Sequence, residues 1–158
     1  MSFPIISEGT LNTLLDEGLL VSGDRQEHLF NLSTSLFLSN PDIVGFIQTD
    51  IMSGIGEDHW FEDRVYVDAV YCCVLILYAF SLCHKDLYVK SSTIQTVYKQ
   101  LKTNQNAFCN RILLRDIDEQ IRDLIDIFCS RYDAKEMRSE ILFIKISARM
   151  VYEIIKMS

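Results

Sequence analysis

His59 and Glu62 stand three residues apart in Asp58-His-Trp-Phe-Glu-Asp-Arg64, a spacing that sets an imidazole and a carboxylate on one side of a helix. Pairs of this kind hold di-iron centres in helical bundles, but such a centre also needs a second Glu/His pair and further carboxylates. This chain has three histidines, His28, His59 and His84, and they do not cluster. Cys72 and Cys73 are adjacent and have no partner pair at zinc spacing, and Cys83-His84 is adjacent rather than spaced. Asp50 is followed by Met52 where a calcium loop needs an oxygen ligand. There is no Gly-x-Ser-x-Gly elbow and no cysteine in a glycine-flanked turn. Gly54-Ile-Gly56 runs into Glu57 and Asp58, whose charges repel a phosphate. The chain is therefore expected to use no metal and no cofactor, and not to be an enzyme.

The elements that would position any site are more legible. Ala69 to Cys83 is a run of fifteen uncharged residues, bounded by Asp68 and by His84-Lys85. As a helix it rises about 22 Å, short of the ~30 Å hydrocarbon core of a bilayer, and no constitutive membrane span is expected. The acids before it are not the flanks of a spanning segment either. A helix apolar all round must be enclosed by others. Asp24-Arg-Gln-Glu27 reads as a capping box opening a helix with Leu29, Phe30, Leu32, Leu36 and Phe37. Asn40-Pro41 ends it and starts the next, which carries Ile43, Val44, Ile47 and Ile51. A short helix over Thr10–Glu17 precedes them. Ser92-Thr-Ile-Gln95 opens a helix with Ile94, Val97, Tyr98 and Leu101 on one stripe. Asn104–Asn110 reads as a loop or ragged helix start, and Ile117, Ile121, Leu124, Ile125 and Phe128 form a further stripe. After the box Asp133-Ala-Lys-Glu136, Met137, Ile141, Ile144, Ala148, Val151 and Ile155 recur every three or four residues. Nothing alternates with period two. The expected fold is all-α, one domain over residues 1–158, a compact irregular bundle of six to seven helices around a central helix at about 61–84.

Charge and cysteine usage narrow the partners and the compartment. Net charge is −7, unevenly spread. Residues 1–84 hold twelve acids against Arg25 and Arg64, residues 85–110 hold four lysines against Asp86, and the remainder is balanced. An acidic N-terminal half is a poor match for phosphate, and nucleic acid is not expected as a partner. The five cysteines, an odd number, fall in apolar helical stretches, where cysteine behaves as a small hydrophobe. Met1–Val21 carries Glu8, Asp16 and Glu17 and has no basic leader segment. A reducing compartment, cytoplasmic or nuclear, is expected.

Two surfaces are candidates for a protein partner. The C-terminal helix carries a second apolar side, Phe143, Ile146, Met150 and Ile154, about a third of a turn or more from its heptad stripe. A wet apolar stripe of that size marks a partner surface, for a partner helix or another copy in an oligomer. Trp60 and Phe61, rimmed by Glu57, Asp58, Glu62, Asp63 and Asp68, form the second candidate. The expected function is non-enzymatic protein–protein interaction, as an adaptor, an assembly subunit or an inhibitor; the alternative of another class is an enzyme with an unrecognised site assembled from scattered residues. The plan of a central apolar helix with amphipathic helices around it also resembles Bcl-2-like domains, divergent viral ones included. That resemblance implies a regulator of apoptosis or innate immune signalling. The Asn-Trp-Gly-Arg signature of that family is absent, with Asp58-His-Trp60-Phe-Glu-Asp-Arg64 as its distant counterpart, so the resemblance assigns no residue roles.

Overall fold

The computed structural model describes residues 8–17, 25–54 and 61–158, and among them eight α-helices and no strand. In chain order these are α1 Glu8–Asp16, α2 Arg25–Ser39, α3 Pro41–Gly54, α4 Asp63–Cys83, α5 Ser91–Thr103, α6 Gln105–Leu114, α7 Glu119–Cys129 and α8 Arg138–Lys156. The fold is all-α, with α4 at its centre.

Helix α4 is enclosed because its sequence leaves no polar face. Every residue from Val65 to Phe80 except Tyr66, Val67 and Tyr78 is buried. Its neighbours are α8, which packs on it most extensively, together with α1, α2, α3 and α7. At 21 residues it rises about 31 Å. By length and composition α4 could cross a membrane, which the fifteen-residue run alone did not suggest, but 72% of its most apolar window is buried inside the fold. Ser81, the serine of the apolar run, is half-buried, with its hydroxyl covered.

Polar residues set how the helices meet. Asp68 is buried five residues into α4 and accepts a hydrogen bond from the Tyr132 hydroxyl. It is therefore a tie to the α7–α8 connection and not part of an acidic rim. Arg149 on α8 donates to the carbonyl oxygens of Ile112, Leu113 and Arg115 at 3.3, 3.3 and 2.9 Å. A cation at the end of α6 satisfies carbonyls that the helix itself leaves unpaired. Glu153 pairs with Arg115, and Lys156 meets Asp118 at 3.3 Å.

Two boundaries differ from the sequence expectations. The polar string after Asn104 is a full helix, α6. The Asn104 side chain accepts from the Ala107 N–H at 3.1 Å, and Phe108 and Ile112, four apart, supply a buried stripe. This is the helix missing from a count of six or seven. Asp133 accepts from the N–H groups of Lys135 and Glu136 in a turn, and α8 begins only at Arg138. Those two bonds to the ionised form hold the Asp133 carboxyl below the ordinary carboxylate range. Asp24, the expected cap of α2, lies outside the described residues.

Asn40 does more than separate α2 from α3. Its side chain is buried, donates to the Leu87 carbonyl at 3.0 Å and accepts from the Val89 N–H at 2.8 Å. One side-chain amide thus satisfies both backbone groups of the α4–α5 connection. Asn40→Ala is expected to destabilise the fold by about 2 kcal/mol or more, because a buried donor and a buried acceptor lose their partners together. Urea denaturation checks this; a midpoint within error of the parent would show that water replaces the amide freely.

Candidate interaction groove

The residues expected to form the partner surface of the C-terminal helix are core residues. Phe143, Ile146, Met150 and Ile154 are each 6% exposed or less. Helix α8 has α4, α5, α6 and α7 packed around it, so both of its apolar sides are covered within the domain. Of the heptad positions, Ile144, Ala148, Val151 and Ile155 are buried and Ile141 is half-buried. The second candidate fares differently. Trp60, with Glu57 and Asp58, lies outside the described residues. Phe61 is half-buried and stacks on Tyr66 and Phe143, with ring centroids 5.8 and 5.2 Å away. Tyr66 meets Phe143 edge-on at 5.6 Å. The aromatic group caps the core where α4 begins.

The apolar surface left open lies on α2 instead. Leu29, Leu32, Ser33 and Leu36 face inward, at the spacing of one buried stripe. Phe30, Phe37 and Leu38 fall on the other side and are 71%, 51% and 84% exposed. Between this side and the neighbouring helices runs a groove of about 540 Å³, bordered by Phe30, Phe37, Leu38, Val44 of α3 and Val67 of α4. Among the described residues, no charged side chain lines it. The Thr34 hydroxyl donates to the Phe30 carbonyl at 2.8 Å, so it adds little polarity to the groove wall. Ser33 and the exposed Gln48 also border the groove; the Ser33 hydroxyl itself is covered and has no hydrogen-bond partner among the described residues. The sequence contains the signal, since Phe30 and Phe37 lie outside the inner stripe of α2, but the same two-sided pattern appears more strongly in α8.

Other clefts are built differently. One of about 530 Å³ between α5 and α6 is walled by Lys99, Gln100, Asn104 and Arg111. Of its two cations, Arg111 donates to Gln100 at 2.6 Å and lies over the Phe108 ring. A third cleft, about 410 Å³, separates α6 from α8 beside Cys109 and Leu142.

Among the described residues, no three His, Cys, Asp or Glu side chains gather as a metal site. All five cysteines are free, with Cys72, Cys73 and Cys129 buried. Burial is the largest cause pushing the Cys72 and Cys73 thiols well up, and it pushes the Cys129 thiol up to about 11. Thiols held protonated in this way are poor nucleophiles. No family model, curated protein or solved structure matches this chain.

Proposed function

We propose that this chain is a non-enzymatic protein–protein interaction module, working as an adaptor, an assembly subunit or an inhibitor, and that it engages partners through the α2–α3–α4 groove. One observation carries the reading: Phe30, Phe37 and Leu38 stand open together on one side of α2, beside Val44 and Val67. Single exposed apolar side chains are ordinary, whereas three large ones gathered around a groove mark a docking surface. The groove's largely apolar walls, with Thr34 and Gln48 among them, suit an amphipathic helix laid into it. Free thiols and the absence of disulfides among the described residues support a reducing compartment, cytoplasmic or nuclear.

A second reading is a regulator of Bcl-2-like plan, acting on apoptosis or innate immune signalling. What favours it is the position of the groove directly beside the buried central helix, with Val67 of α4 in its wall.

The test is Phe30→Ser combined with Leu38→Ser. Both side chains are exposed, so the melting temperature should stay within a few degrees of the parent. Partner capture should weaken by about 2 kcal/mol, roughly thirtyfold, as for loss of an interface anchor. Quantitative affinity capture with parent and variant side by side, scored by mass spectrometry, reads the difference. Equal recovery of every partner by the two proteins would remove the groove from the proposal.

A further inference from the structure

We infer that the groove takes an amphipathic helix from another protein whose apolar side is flanked by basic residues. The inference rests on the interaction-module reading above and names the partner's chemistry.

The length and lining of the groove set the apolar part. Phe30 to Leu38 spans eight residues of α2, about 12 Å along its axis. That matches a little over two turns of a docked helix, presenting apolar residues at i, i+3 or i+4, and i+7.

The surroundings set the charge. Glu27 lies one turn before Phe30 on α2, Asp63 lies one turn before Val67 on α4, and Asp42 is exposed in the first turn of α3. Of the two cations in residues 1–84, Arg25 opens α2, and Arg64 turns to other groups: it pairs with Glu62 at 3.0 Å, lies over the Tyr132 ring and reaches the Met137 sulfur at 3.9 Å. Among the described residues the groove lining is thus uncharged, and its exposed acidic neighbours are Glu27 and Asp63, one turn from Phe30 and Val67. Electrostatic complementarity selects a basic flank. It also argues against a second copy seated on the same face, because a two-fold pairing would set Glu27 and Asp63 close to their own copies.

The test uses three labelled helical peptides that share one apolar side and differ only in lysine, glutamine or glutamate flanks, titrated against the full chain by fluorescence anisotropy at low and physiological salt. The lysine-flanked peptide should bind at least about tenfold more tightly than the glutamate-flanked one, and salt should shrink the gap. Glu27→Gln with Asp63→Asn should narrow the preference, and Glu27→Lys with Asp63→Lys should reverse it, at unchanged melting temperature. Phe30→Ser with Leu38→Ser should abolish binding of all three. Equal binding of the three peptides, lost in that apolar variant, overturns the charge inference and leaves the interaction surface standing. Binding of none, or binding that survives the apolar variant, overturns the groove itself. A concentration-dependent dimer in light scattering, abolished by Phe30→Ser, overturns the separate partner in favour of a second copy.

Discussion

Leu77→Asp is expected to abolish folding. Leu77 is fully buried in the middle of α4, in a stretch where every residue from Val74 to Leu77 is inaccessible. A carboxylate placed there has no water and no cation on its own helix nearer than Arg64, over three turns away. Burying such a group unpaired costs several kcal/mol, and removing the leucine adds a packing loss of about 2–5 kcal/mol. Together these rival the whole stability of an ordinary domain, about 5–15 kcal/mol. Circular dichroism with thermal melting should show no cooperative transition. Leu77→Met, which keeps the volume, should cost less than about 1.5 kcal/mol. A soluble, cooperatively melting Leu77→Asp protein would show that α4 is not central.

Phe143→Ser combined with Met150→Ser is the second large effect. Phe143 is the ring on which both Phe61 and Tyr66 rest, and Met150 is fully buried two turns further along α8. Truncating a buried phenylalanine costs about 3–5 kcal/mol and a buried methionine about 2–5 kcal/mol, and the new hydroxyls enter apolar surroundings. The two sites are about 10 Å apart along the helix, far enough for their costs to add. The double variant should be unfolded or close to it, and each single variant should show a clearly lowered urea midpoint. A double variant that melted within a few degrees of the parent would place this side of α8 on the surface, and return it as the binding face. The contrast with Phe30→Ser and Leu38→Ser is the sharpest comparison available: the same kind of change on two apolar helix faces, one lethal to the fold and one silent.

Much of the architecture follows from local pattern. An uncharged run with no polar face has to be enclosed, so α4 is central wherever the other helices go. Inner stripes such as Ile94, Val97 and Leu101, or Ile121, Leu124, Ile125 and Phe128, are buried as their spacing requires. Local pattern failed where a side chain's partner is distant. Asn40 reads as a helix cap, and its amide instead bonds a connection almost fifty residues on. Asp68 reads as one acid of a cluster, and it is tied to Tyr132 across the core. The string Asn104–Asn110 reads as a loop or ragged helix start because its four polar residues outnumber the three apolar ones, yet Phe108 and the Asn104 cap suffice once α5 and α8 offer surfaces to pack on.

The candidate site shows the same division most clearly. Sequence alone determined that α2 and α8 each carry apolar residues on more than one side, because residue spacing fixes angular position on a helix. It could not determine which of those second sides stays open, since that depends on the number of neighbours. Helix α8 is surrounded by α4, α5, α6 and α7, and its surplus became core; α2 rests on α3 and α4, and its outer side, with Phe30, Phe37 and Leu38, remains exposed. Burial is a property of the packed assembly, set by contacts between residues far apart in the chain, and only the tertiary structure decides it.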